Sequence, residues 1–154
     1  MSKAADRFER AAHDRGLHLE IRRFPEGTKT APDAARAVGC EVGQIVKSLV
    51  FVADGQPLLA LTSGGNADTT KLASWIGARE VRRATADEAR AATGFAIGGT
   101  PPFGFPGPVA VVMDRDLLAY DEVWAAAGTP DSVFRITPAA LRDAAGAEVV
   151  DLRE

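Results

Sequence analysis

Hydrophobic and polar positions change period several times along the chain, and each change predicts an element. Residues 4–15 are rich in Ala, Arg and Asp and stop before Gly16, which predicts a helix. HLEIRRF, 18–24, alternates apolar and polar side chains and predicts a strand; PEGTKT, 25–30, follows as a loop. Thr30 can cap a second helix, with Pro32 in its first turn, Asp33 three residues after the cap and Gly39 at its end. In QIVKSLVFV, 44–52, Ile45, Lys47, Leu49 and Phe51 share one face, while Val46, Ser48, Val50 and Val52 share the other. Both rows are mostly apolar, so this strand is expected to be covered on both sides. ADGQP reads as a turn and PLLALT as the second arm of a hairpin.

SGGNAD, 63–68, is a loop leading into a short helix, TTKLASWIG, on which Leu72, Trp75 and Ile76 share a face. EVRR reads as a short strand, and Thr85 with Glu88 forms a capping box for a helix ending at Gly94. GFAIGGTPPFGFPGP, 94–108, carries too much Gly and Pro for a regular element. VAVVM, EVWAAA, SVFRI and EVVDL read as strands, and a last helix is capped by Thr137, opened by Pro138 and stopped by Gly146. Strands and helices intermingle without regular alternation. The expected class is α+β: a mixed, mostly antiparallel, barrel-like sheet surrounded by helices, with residues 1–154 forming one domain.

Net charge is −3, which argues against a protein that binds nucleic acid by overall electrostatics and leaves room only for a local basic rim. Cys40 is alone, so no internal disulfide can form, which fits a reducing compartment. The charged N-terminus has no apolar core of a signal peptide, and no apolar run approaches a membrane span. A cytoplasmic location and no membrane association are expected.

Candidate chemistry is sparse. His13 and His18 are five residues apart and do not stack on one helical face, and Cys40 has no partner motif, so no metal and no cofactor is expected. GGTPPFG lacks the spacing of a P-loop. Its Gly98 and Gly99 permit close backbone approach, while Pro101 and Pro102 fix φ. Such a loop either grips a small polar group through its main chain or is a structural crossover. Lys47 is the sharpest residue, because an unpaired ammonium in an apolar strand is costly. Its tip can reach solvent, pair with Asp68 or Asp54, or line a pocket and meet an anionic or carbonyl ligand.

IVKSLVFV, SGGNADTTKLA, GFAIGGTPPFG and VVMDRDLLAYDEVWAAAGTPDSVFRITPAAL occur in this order and at this spacing. On these segments, across residues 28–152, the chain resembles the YbaK/EbsC family of free-standing aminoacyl-tRNA deacylases, and it is similar to the editing (insertion) domain of bacterial prolyl-tRNA synthetase. The resemblance implies trans-editing: hydrolysis of the ester of mischarged tRNA, with Cys- or Ala-tRNA(Pro)-like substrates. It implies the tRNA 3′ acceptor end as a partner, with prolyl-tRNA synthetase as a further one. Lys47 stands where the family has its essential lysine, and Gly98-Gly99-Thr100-Pro101-Pro102 matches its GxxxP loop. Relatives often carry a histidine shortly before the late glycine. Here that stretch is Trp124-Ala125-Ala126-Ala127-Gly128, a departure that stands against any mechanism needing that histidine.

Lys47, Gly98 and Gly99 are the candidate catalytic residues; Ser48, Asp68, Thr100, Pro102 and Gly128 are the candidate substrate-binding residues. Main-chain N–H groups of 98–100 can hold a carbonyl oxygen, and Lys47 can hold a terminal phosphate or developing negative charge. Ser48 faces away from Lys47 on an ideal strand, which gives it a minor role. Asp68 either orients Lys47 or caps the helix after it. Ile45, Leu49, Phe51 and Phe103 are expected to set the pocket's volume. Lys71, Arg79, Arg82 and Arg83 form either a basic rim or a solvated face. Two other readings remain open: a non-catalytic module that binds aminoacyl-tRNA ends or a synthetase, and an unrelated small protein in which Lys47 is salt-bridged.

Overall fold

The computed structural model describes residues 3–25 and 30–154; within the loop expected at 25–30, residues 26–29 lie outside the described residues. The described chain folds as α1 (Lys3–Asp14), β1 (Ile21–Arg23), α2 (Ala31–Val38), β2 (Ile45–Ala53), β3 (Gln56–Ser63), α3 (Thr69–Ile76) and β4 (Val81–Arg83). It continues with α4 (Ala86–Thr93), β5 (Ala110–Asp114), β6 (Val123–Ala126), β7 (Ser132–Ile136), α5 (Pro138–Ala145) and β8 (Glu148–Val150). One-turn 3-10 helices at Val42–Gln44 and Arg115–Ala119 lead into β2 and follow β5.

The helices begin where side chains satisfy their first free N–H groups. Thr30 accepts from the Asp33 amide, Thr85 from that of Glu88 and Thr137 from that of Ala140. The strand expected at 18–24 is shorter than its alternating pattern suggests, because only residues 21–23 find a partner, in β7. Trp75 also departs from expectation. Leu72 is fully buried and Ile76 packs beside it, but Trp75 is 53% exposed. Its position, three residues after Leu72, falls at the margin of the narrow stripe that a two-turn helix buries.

All eight strands join one mixed sheet, in the order β1-β7-β6-β2-β3-β5-β8, with β4 paired to β2 off this path. Four pairings are antiparallel and three are parallel. The path is open, ending at β1 and β8. Along β2 the two faces separate as the alternation predicts. Val46 and Val50 enter the main core with Phe8, Phe134 and Met113. Leu49 and Phe51 pack with Leu58 and Leu72 beneath α3. Ile45 joins Ala31, Ala34, Trp124 and Val133 beneath α2.

At the start of α4, the Glu88 carboxylate accepts from both Arg82 guanidinium nitrogens at 2.7 and 2.8 Å and from the Thr85 amide at 2.9 Å. The Arg82 hydrogen bonds, then that of Thr85, hold its carboxyl down to about 2. A carboxylate depressed by folding stabilises the fold above its unfolded value, and that support disappears as pH falls through the folded value. Melting temperature should therefore fall between pH 4.5 and about 2. Glu88→Gln should flatten its share of that slope, as a series of thermal melts would read.

Candidate active site

The site follows from a break in strand pairing. On one side β2 pairs with β3 from Val46 to Ala53. On the other it pairs with β6 only at Ile45 and Val46, and with β4 only from Phe51 to Ala53. No described strand covers residues 47–50 on that side. The Gly64 amide donates to the Ile45 carbonyl at 2.7 Å, which fixes the hydrogen-bonding phase of the hairpin. Lys47 and Leu49 therefore turn their main-chain groups towards β3, while those of Ser48 and Val50 point into the gap. The Val50 carbonyl accepts from the Ala84 amide at 3.0 Å, which closes one end of the opening.

A cavity of about 250 Å³ occupies this gap. Its floor is the 45–50 segment of β2. Thr30, Ala31 and Ala34 of α2 and its cap form one wall, with Trp124, Ala125 and Ala126 of β6 beside them. Ile97, Gly98 and Thr100 form the opposite wall, and Arg83 stands at one end. Pockets for drug-sized ligands run from about 300 to 1,000 Å³, so this one suits a small group. Small residues on α2 and β6 leave the space open.

Lys47 lines the cavity and is half-buried. Among the described residues its ammonium makes no ion pair and no hydrogen bond. The two carboxylates near it in sequence are engaged elsewhere. Asp68 caps α3, accepting from the Thr70 and Lys71 amides at 2.9 and 3.1 Å. Asp54 accepts from the Arg79 and Glu80 amides. Those hydrogen bonds lower its pKa and tie the hairpin turn to the approach to β4. Lys47 thus lines the opening with no acceptor for its ammonium among the described residues.

Capping is the observed role of Asp68, and it does not line the cavity. Asp68→Ala should cost about 1 kcal/mol in a urea melt, and Asp68→Asn much less, because both carboxylate and amide oxygens cap well.

The Gly-Pro loop divides its candidates. Gly98, with φ +91°, and Thr100 reach the cavity. Gly99 does not: its amide donates to the Ala96 carbonyl at 3.0 Å, and its Cα lies against the backbone of Thr129 and Pro130. The Thr100 hydroxyl donates to the same Ala96 carbonyl at 3.1 Å. Pro102 is buried away from the opening, and Gly128 packs against Ala4 of α1. Of the residues expected to set pocket volume, Ile45 and Leu49 line the cavity. Phe51 lies beneath α3, and Phe103 lies between Phe8 and Phe134, at centroid distances of 5.1 and 6.3 Å.

The expected basic rim reduces mainly to Arg83, whose guanidinium lies 5.6 Å from the Phe51 ring centroid. Lys71 is drawn to Asp151 and the Arg153 carbonyl, and Arg82 to Glu88. Trp124, on the facing wall, is flanked by Arg22 and Arg135 at 5.1 and 5.8 Å. Those two arginines are paired with Glu20 and Glu122. The sequence reading missed Thr30, Ile97, Ala125 and Ala126. Ile97 is 52% exposed, and its position immediately before Gly98 was the available signal.

The sequence profile of the aminoacyl-tRNA editing domain matches residues 25–144. The chain belongs to that family. The matched span carries β2, the Gly-Pro loop and β6, hence the cavity of this editing domain. A solved structure of a proposed trans-editing enzyme for prolyl-tRNA synthetase superposes with a TM-score of 0.94 at 49% identity, covering 100% of this chain and 99% of that one. A Bacillus subtilis protein, YwhH, is 29% identical over 126 residues, 80% of each chain. The proline–tRNA ligase of Nitratidesulfovibrio vulgaris (strain DP4) is 31% identical over 128 residues, 82% of this chain but 22% of the ligase. The editing domain therefore corresponds to about a fifth of that synthetase.

Proposed function

We propose that this editing domain is a trans-editing aminoacyl-tRNA deacylase that removes small, wrongly attached amino acids, as in Cys- or Ala-tRNA(Pro), with residues 1–154 acting as one unit in the cytoplasm. The observation that carries this reading is an ammonium, that of Lys47, without a partner among the described residues, on a residue lining a small cavity beside the free edge of β2 and the Gly98–Thr100 turn. The likeness to the trans-editing structure supports it over the full chain.

An aminoacyl ester is already activated, so its hydrolysis depends on positioning and on stabilising the developing oxyanion. The Gly98 and Thr100 amides face the ester carbonyl oxygen. Lys47 supplies positive charge to that oxygen or to the phosphate of the terminal nucleotide. Water adds to the carbonyl carbon, assisted by the neighbouring ribose hydroxyl of the substrate. The carbon–oxygen ester bond then breaks, the ribose oxygen leaves with a proton as an alcohol, and the amino acid leaves as its acid. No step requires a side chain between Trp124 and Gly128, where this chain has no titratable group. Only the single-stranded tRNA end enters, which a net charge of −3 does not oppose. Prolyl-tRNA synthetase would supply that end.

The test is a deacylation panel of mischarged tRNAs, centred on Ala- and Cys-tRNA(Pro). Turnover well above the uncatalysed rate supports the proposal. Binding of acylated tRNA without ester loss would instead identify a recognition module, the alternative that the histidine-free stretch favours.

A further inference from the structure

His13 and His18 are wrongly spaced to share a helical face, yet the fold sets their rings side by side. α1 ends at Asp14, and the chain reverses at Gly16, with φ +74°. The Gly16 amide donates to the His13 carbonyl at 2.9 Å, and the Leu17 amide to that of Ala12 at 3.0 Å, a paired closure of the helix end. This reversal carries His18 back beside the last turn of α1. The two imidazole centroids stand 6.2 Å apart, with their planes crossed at 68°. Both side chains are exposed. Among the described residues, neither imidazole makes an ion pair or a hydrogen bond, and nor does the Glu9 carboxylate. Glu9 lies one turn before His13 on α1. A surface cavity lined by Glu9, His13, Leu17, His18 and Glu20 opens over the pair and shares no lining residue with the cavity beside β2. Glu20 pairs with Arg22 at 3.6 Å. Arg15, the cation within the reversal, does not line the surface cavity: it donates to the Ala11 and Ala144 carbonyls and lies 4.9 Å from the Phe103 ring centroid.

We infer that His13 and His18 bind one divalent transition-metal ion of the zinc, nickel and copper group, which joins the end of α1 to the approach to β1. The inference does not depend on the deacylase reading. Zinc–nitrogen bonds of about 2.0–2.1 Å place the centroids of two imidazoles that share an ion about 5–6.5 Å apart, the range in which this pair stands. Imidazole suits these ions, whereas magnesium and calcium take oxygen ligands and should not compete. Among the described residues no three His, Cys, Asp or Glu side chains are already grouped around one point. The two imidazoles are therefore the direct ligands, and water completes the coordination. Glu9 and Glu20 add negative charge around the ion, and the C-terminal end of the α1 dipole favours a cation in the same place.

The experiment titrates the whole chain, prepared without a histidine tag and freed of metal, with Zn²⁺, Ni²⁺ or Mg²⁺ in a calorimeter, beside His13→Ala and His18→Ala. The wild type should bind one Zn²⁺ or Ni²⁺ per chain and no Mg²⁺. Losing a supporting partner of a metal ligand weakens binding by about tenfold to a hundredfold, so losing either ligand should cost at least that. Because the folded reversal assembles the pair, Zn²⁺ at a hundredfold excess over Kd should raise the wild-type Tm by roughly 5 °C and leave both variants unmoved. No saturation by about 1 mM ion, the weak end of natural cation sites, would overturn the inference. So would a Kd unchanged by either substitution, or equal binding of Mg²⁺. A readout on the wild type alone covers the case in which a variant fails to fold. Paramagnetic Ni²⁺ should broaden the ring signals of both histidines together in NMR spectra. Broadening of one ring, or of neither, would overturn the shared site.

Discussion

Lys47→Ala should lower deacylation at least 100-fold while leaving the melting temperature almost unchanged. The two halves of this expectation have one cause. The Lys47 ammonium has no ion-pair or hydrogen-bond partner among the described residues, so its removal orphans no carboxylate among them. Truncating one member of a buried ion pair costs about 3–5 kcal/mol, because the other charge is left unpaired. That cost is absent here, and the stability change should stay within about 0.5 kcal/mol. Lys47→Met, which keeps the apolar stem and removes a half-buried ammonium, should be neutral or slightly stabilising. Activity responds differently, because a preplaced charge facing a developing oxyanion or a phosphate is worth roughly 10²–10³ in rate. Lys47→Arg should recover little of it, since a planar fork does not occupy the position of a compact ammonium in a cavity of about 250 Å³. Single-turnover deacylation paired with thermal melts gives both readings. A variant retaining its rate within a few-fold would remove Lys47 from the chemistry, and one that unfolds would make it a structural residue.

That Lys47 could be singled out from sequence, while its surroundings could not, has a physical basis. Period-2 alternation is local, so the faces of β2 were legible, with Val46 and Val50 on one side and Ile45 and Leu49 on the other. Caps are also local, and Thr30, Thr85 and Thr137 initiate the helices their sequences predict. The cavity is not local. It exists because β6, some 80 residues away along the chain, stops pairing at Val46, and β4 begins only at Phe51. Nothing in QIVKSLVFV encodes where its neighbours end. Phe51 and Phe103 illustrate the same limit. Each is a large apolar residue near a candidate motif, yet α3 covers the first and Phe8 of α1 covers the second. Asp68 and Asp54 looked available to Lys47 by proximity along the chain, but nearby amides claimed both.

Gly128→Ala should be among the most destabilising single substitutions in the protein, at about 3–5 kcal/mol, or roughly 10 °C in melting temperature. Two costs add. Gly128 has φ +104°, where an L side chain is strained. A Cβ there would also stand 2.9 Å from the Ala4 carbonyl oxygen and 3.2 Å from its carbon, atoms of a helix backbone that cannot swing aside. Relief requires α1 to move outward. That helix carries Phe8, which is fully buried and has ring-centroid distances of 4.9 Å to Phe134 and 5.1 Å to Phe103. Displacing it opens the main core where the Gly-Pro loop meets β7. Gly99→Ala tests the neighbouring contact without the conformational cost. Its Cβ would meet Thr129 Cα at 2.8 Å and the Thr129 carbonyl carbon at 2.9 Å, an overpacking worth about 1–3 kcal/mol. Gly98→Ala reverses the situation, with φ +91° but open space around the new methyl, so it should cost only the strain of about 1–2 kcal/mol. The expected order in urea denaturation is Gly128→Ala most destabilised, with Lys47→Ala near wild type. A Gly128→Ala protein melting within a degree or two of wild type would show that α1 yields freely to the new methyl group.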